Sequence, residues 1–237
     1  MALFRNLGPF STTAIGHGEM PLTIENNRGH EVGIETLHAS LDAGCRHIDT
    51  AWAYYCSGGE EQTGEKLVRE ALETWKGSKD EVLVATKVGH FRNFTDGRPT
   101  WDVDGRPENL IRRGKESALA LGVDTIDLLY FHRPDPKVPY NESVEAIKQL
   151  VDEGVAQEAG ISNAPSSKST LRAVFWATSS WPCKTSTRRF TWRPRTRSTT
   201  APRLAWPSCA GARSAATVTP MMRPSSTRSA RSRRPTA

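Results

Sequence analysis

Arg46-His47-Ile48-Asp49-Thr50-Ala51-Trp52-Ala53-Tyr54-Tyr55 is the stretch on which the reading of this chain turns. A short apolar strand carries an acid in its middle and runs directly into aromatics. A carboxylate inside an apolar strand costs several kcal/mol unless it is paired, so Asp49 needs a partner. Taken alone, the segment fits a structural carboxylate capping a loop as well as a working group. The choice depends on whether other strands also finish in chemically useful residues.

They do. Glu81-Val82-Leu83-Val84-Ala85-Thr86-Lys87-Val88 is apolar until Lys87, and Thr125-Ile126-Asp127-Leu128-Leu129-Tyr130-Phe131-His132 ends on His132 before Arg133-Pro134. A short strand over 158–163 ends on Ser162-Asn163. Between these runs lie helical patterns. Residues 31–43 put Ile34, Leu37 and Leu41 on one face, with Gly44 as a stop. Gly64, Leu67, Val68, Ala71, Leu72 and Trp75 form an apolar stripe. Pro107 suits the first turn of a helix running to Leu121, and Ser143 reads as the cap of a fourth helix in which Val144, Ile147 and Val151 share a face. The segment from 89 to 106, with Gly97 and Pro99, reads as a long loop. Residues 3–16 read as a hairpin leading to a first strand that ends near Gly18.

Apolar strands alternating with helices predict an α/β fold with a parallel sheet covered by helices. A doubly wound sheet and a (β/α)8 barrel both fit. No GxGxxG follows the first strand, which disfavours a dinucleotide-binding doubly wound fold. In a barrel, chemistry sits at the C-terminal ends of the strands. Asp49, Tyr54, Lys87, His132, Ser162 and Asn163 all fall there. A tyrosine of pKa about 10 is a sluggish acid near neutrality, and an adjacent ammonium is expected to lower it. Asp49 would keep that lysine charged, and His132 would bond the substrate oxygen or the phenol. The set offers neither nucleophile nor metal cage and suits protonation of a carbonyl oxygen while a cofactor delivers hydride.

Asp49-Thr50-Ala51-x-x-Tyr54, Ala85-Thr86-Lys87, the run from Asp127 to Pro134, and Gly160-Ile161-Ser162-Asn163 together resemble the aldo-keto reductase family, over roughly residues 3–163. The resemblance implies a TIM barrel and NADPH-dependent reduction of an aldehyde or ketone, with a small-molecule carbonyl substrate and no metal. Carried over, it makes Tyr54 the general acid, Lys87 the group that lowers its pKa, Asp49 the partner of Lys87, and His132 the group that orients the carbonyl. Gly18 to Met20 match the loop beside the cofactor, and Ser162 and Asn163 the positions that hold the nicotinamide carboxamide. Tyr55 is expected to line the pocket. His47, His90 and Cys56 are expected to serve packing.

The last part of the chain reads differently. Residues 164–237 hold two Lys and thirteen Arg but no Asp or Glu, so all 26 acidic side chains precede them and the net charge of +6 comes from this segment. It also lacks Asn, Gln, Ile, Tyr and His and is rich in Arg, Ser, Thr, Pro and Ala. One reading is a disordered basic tail that contacts nucleic acid or anionic surfaces, which would make the chain a non-catalytic interaction protein. Another is a shifted reading frame beginning near Asn163 to Pro165. Back-translated and shifted, Pro182 to Phe190 permit VQNEYSPF, which resembles the glutamine-bearing strand of the family, and nucleic acid is then no partner. On that reading residues 1–163 form an incomplete barrel of about five βα units, too few for the eight of a closed one. Cys45, Cys56, Cys183 and Cys209 show no CxxC spacing. Neither a signal pattern at the N-terminus nor a membrane-spanning apolar run is present, so a cytoplasmic protein with no membrane partner is expected. No pattern indicates an oligomeric state.

Overall fold

The computed structural model of the protein describes residues 3–163, so the expectations for 164–237 lie outside the described residues. Five parallel strands form one sheet: β3 (His17–Gly18), β4 (His47–Asp49), β5 (Leu83–Val88), β8 (Ile126–Phe131) and β9 (Ala156–Ile161). Helices α1 (His30–Asp42), α2 (Thr63–Thr74), α3 (Pro107–Leu121) and α4 (Tyr140–Asp152) connect them in turn. Each strand lies beside its predecessor in the sheet, in the order β3-β4-β5-β8-β9. A doubly wound sheet reverses direction partway, whereas this order is that of a singly wound barrel wall. About five strand–helix units of a (β/α)8 wall are thus in place.

Period-2 alternation divides each strand between two faces. Ile48, Leu129 and Phe131 point outward into the main core, where Leu37, Leu41, Leu67, Val68, Leu110, Ile147 and Leu150 of the helices meet them. Leu83, Ala85 and Leu128 point inward as a second, smaller cluster. The residue next in that inward series on β5 is Lys87. The pleat that buries the leucine at one end of β5 therefore delivers the ammonium to the inside at the other.

Two antiparallel hairpins flank the sheet. β1 (Phe4–Leu7) pairs with β2 (Phe10–Thr13), and Leu7 and Phe10 pack on the inner cluster. The second hairpin, β6 (His90–Thr95) with β7 (Arg98–Val103), occupies the segment that the sequence reading assigned to a loop. Asp96 (φ 51°) and Gly97 (φ 72°) both adopt the left-handed region, as a two-residue type I′ turn requires. Ser143 does not cap α4 either: Pro139 occupies the cap position, and Ser143 lies buried in the first turn, donating from Oγ to the Gly105 carbonyl (2.7 Å). Proline with its fixed φ already opens the helix, which frees the serine to anchor the preceding loop. Among the described residues, no helix is long and apolar enough to cross a membrane.

Candidate active site

The C-terminal ends of β4, β5 and β8 bring four groups to one place. Lys87 Nζ donates to Asp49 Oδ1, to the Thr50 carbonyl (2.7 Å) and to Tyr54 Oη (3.2 Å). Three partners use all three ammonium donors. Burial disfavours the charge on Lys87, but Asp49 and the Tyr54 phenol outweigh it and hold the lysine above its ordinary value. Asp49 has its partner.

Tyr54 is only 6% exposed, and burial pushes its phenol above its ordinary value. Lys87 opposes that rise, while Asp49 adds to it. The direction of the lysine's effect is as expected, but desolvation of a phenolate in this enclosure is larger. His132 is edge-on to Tyr54, with ring centroids 5.8 Å apart. Its imidazole is pushed well down by burial, then by the charges of Lys87, His90 and Arg133, so it is neutral at pH 7 and carries one ring N–H.

The second hairpin supplies a wall that the sequence reading did not foresee. His90 stacks on Trp101 (4.9 Å) and meets His132 edge-on (4.7 Å). Trp101 is also edge-on to Tyr54 (6.4 Å) and lies under the Arg92 guanidinium (3.9 Å). Arg92 in turn pairs with Glu25, whose carboxyl it draws down to about 2. His90 therefore packs within the site rather than remote from it. Asp96-Gly97 between two strand-like runs was the available signal. Tyr55 departs from expectation in the other direction. It is 4% exposed, edge-on to Trp52 in the main core, and its Oη accepts from the Arg92 backbone N–H (3.2 Å). Tyr54 faces the site, so its neighbour is turned away from it.

Gly18 pairs with Asp49 across β3 and β4, and Met20 opens a short 3-10 turn, Met20–Leu22, beyond it. Ser162 N–H donates to the Phe131 carbonyl (2.9 Å). The Asn163 amide, on a left-handed residue (φ 54°), reaches the His132 carbonyl (3.2 Å) and Ser162 Oγ (2.8 Å). A cavity of about 480 Å³ borders Gly18, Asp49, Lys87, Ser162 and Asn163 and continues past Leu7 and Thr12 of the first hairpin, whereas Tyr54 and His132 do not line it. Met20 is not among its lining residues. Among the described residues, no group of three or more His, Cys, Asp or Glu side chains is placed to hold a metal ion.

The profile of the aldo/keto reductase family matches residues 14–187. The chain belongs to that family. Its members are oxidoreductases. Aldo-keto reductase YhdN of Bacillus subtilis is 35% identical over 160 residues, covering 64% of this chain and 43% of that protein. Aldo-keto reductase str7 of Strobilurus tenacellus is 32% identical over 176 residues, 71% of this chain and 47% of that protein. Among solved structures, the holo form of aldo-keto reductase AKR11C1 from Bacillus halodurans superposes with a TM-score of 0.55 at 27% identity, covering 68% of this chain and 50% of that one. Glycerol dehydrogenase AKR11B4 from Gluconobacter oxydans gives a TM-score of 0.60 at 26% identity, with 73% and 51% covered. The chain thus spans about half the length of the relatives it matches. The aldo/keto reductase portion described here holds the lysine, tyrosine, aspartate and histidine in one cluster.

Proposed function

We propose that this chain is an aldehyde or ketone reductase that uses NADPH, with Tyr54 as the proton donor. The observation that carries the reading is the triple contact of Lys87 Nζ with Asp49, the Thr50 carbonyl and Tyr54 Oη. A phenol losing its proton to a carbonyl oxygen becomes a phenolate in a sheltered site, where an ammonium already in contact stabilises it most. Asp49 keeps that ammonium charged. Neutral His132 donates its ring N–H to the carbonyl and sets the direction from which Tyr54 Oη is approached. Trp101 and His90 wall the site beside Tyr54 and His132.

The residues present fit the nicotinamide end of the cofactor. The polar rim at Ser162 and Asn163 borders the cavity beside Lys87, and a Cβ at Gly18 would meet nothing within 4 Å, so that flank is open. Ser162 and Asn163 would hold the carboxamide, and Gly18 to Met20 would lie beside it. When bound, NADPH supplies the hydride.

The test is NADPH oxidation by the full 237-residue chain with a panel of aldehydes and ketones, compared with Tyr54→Phe. Loss of the donor should lower kcat by about a hundred- to ten-thousandfold. Turnover equal in the two proteins, or none in either, rejects the reading for this chain.

A further inference from the structure

The face of β4 and β5 opposite the active site holds two fully buried acids that the proposed mechanism leaves unused. Asp49 and Lys87 point inward, so Thr50 and Thr86, one residue along in each segment, point outward. There Thr50 Oγ1 donates to Glu19 Oε2 (2.7 Å) and Thr86 Oγ1 to Glu65 Oε1 (2.5 Å). All four side chains are 0% exposed. The other oxygen of each carboxyl is also bonded, to Thr23 Oγ1 for Glu19 and to Gln62 Nε2 (2.9 Å) for Glu65. Gly64 makes room for the first of them: a Cβ there would sit 2.5 Å from Glu19 Oε2. The sheet therefore carries an ion pair on one face and a matched pair of threonine–glutamate hydrogen bonds on the other.

We propose that Glu19 and Glu65 are positioning residues for the Lys87 ammonium, acting through Thr50 and Thr86 from the opposite face of β4 and β5. The link through Glu19 is short. It holds the Thr50 side chain, while the Thr50 carbonyl accepts from Lys87 Nζ, and the Glu19 backbone N–H donates to the Asp49 carbonyl (2.9 Å). Glu65 holds the residue immediately before Lys87. Both acids are fully buried and reach Lys87 only through Thr50 and Thr86, so they are positioning groups and not catalytic residues. The inference rests on the reductase reading in that Lys87 is taken there as the working cation.

Charge reaches Lys87 by the same route. Burial raises Glu19 to about 7, against the hydrogen bonds from Thr23 and Thr50 and the charge of Lys87, with Glu65 adding to the rise. Burial likewise raises Glu65, opposed by Thr86, by Ser117 of α3, by Gln62 and by Lys87. The charged groups that face the pair from the packed elements are thus each other and Lys87, with Asp49 and Tyr54 beyond it. Glu19 gains its charge as pH rises through neutrality, and the field on Lys87 changes with it.

The experiment reads Lys87 directly, by NMR of the full chain labelled with 15Nζ-lysine, its resonance assigned by its loss in Lys87→Arg. The Lys87 resonance should shift with an inflection near pH 7. Of the imidazoles that feel Lys87, His47 and His132 are pushed below their ordinary value by burial, and His90 beside them is held at about 4, so none accounts for an inflection that Glu19→Gln abolishes. Glu19→Gln should abolish the inflection. Glu19→Gln and Thr50→Val should each displace the resonance, and their combination should displace it no further than either alone. In the reductase assay Glu19→Gln should lower kcat about tenfold with KM little changed, the pattern of a misplaced working group. A flat Lys87 titration in the unaltered chain, or an inflection that survives Glu19→Gln, overturns the proposal, and the first of these needs no variant to fold. A Lys87 response without Tyr54-dependent turnover upholds it and removes the reductase reading. Turnover with an unresponsive Lys87 does the reverse.

Discussion

The described residues hold two β-hairpins of nearly the same build, set against opposite ends of one parallel sheet. β1–β2 packs Leu7 and Phe10 against the inward residues near the strand starts, and Thr12 Oγ1 donates to the Arg46 carbonyl just before β4 (2.7 Å). β6–β7 follows directly on β5 at its far end and brings His90 and Trp101 against His132 and Tyr54. Both turn on two residues, with Gly8 at φ 61° in the first and Gly97 at φ 72° in the second. Strand direction decides their use. In a parallel sheet all the loops leaving strands gather at one end, where side chains from several strands converge. The second hairpin, placed there, walls the Tyr54–His132 pair, whereas the first lines the cavity from the side of the strand starts.

Breaking the clamp on the second hairpin is expected to have the largest effect. Arg92→Met removes the partner of Glu25 and the cation over Trp101. Because Glu25 keeps a side chain 25% exposed, the loss should be about 2 kcal/mol, below the 3–5 of a fully buried pair. The pH dependence gives a second reading. Glu25 is drawn below its ordinary 4.5 to about 2, so its contribution is fully present above 4.5 and is lost as pH falls through about 2. Urea unfolding of the parent should show that loss on acidification, and Arg92→Met should show a smaller one. An equal acid dependence in both would show that the pair is not what fixes the hairpin.

Trp101→Ala comes next. The residue is 38% exposed, so its removal should cost about 1–2 kcal/mol while raising KM for carbonyl substrates. The smallest effect is the most discriminating. Gly8→Ala and Gly97→Ala each place a side chain at positive φ with nothing within 4 Å, so each should cost about 1 kcal/mol from backbone strain alone. Thermal unfolding should not tell them apart. Steady-state kinetics should, with KM rising only in Gly97→Ala, and equal kinetics would contradict the separate roles of the two ends.

The parallel wall was legible because β4, β5 and β8 each carry their chemistry at the end of an apolar run, and α3 was placed residue for residue from Pro107 to Leu121. Asp49 could be singled out because an acid among apolar neighbours demands a partner, and Lys87 provides it. Three things were not legible. The second hairpin alternates weakly, with a charged Arg92 at a buried position and an apolar Phe94 at an exposed one, so the Asp96-Gly97 turn was its one clear mark. Tyr54 and Tyr55 are alike in sequence, and only the backbone decides that one faces Lys87 and the other the core. Glu19 and Glu65 look like surface charges in the sequence. Their burial follows from outward-facing threonines on two adjacent segments and from the missing side chain of Gly64, which no local pattern reveals.

The proposed function requires Lys87 to make Tyr54 a stronger acid than burial alone would leave it. The most direct measurement is the absorbance titration of the Tyr54 phenol, isolated as the difference from Tyr54→Phe, in the parent chain and again in Lys87→Met. The account predicts a clearly higher phenol pKa once the ammonium is gone. A Tyr54 that titrates at the same pH, or lower, without Lys87 would contradict it.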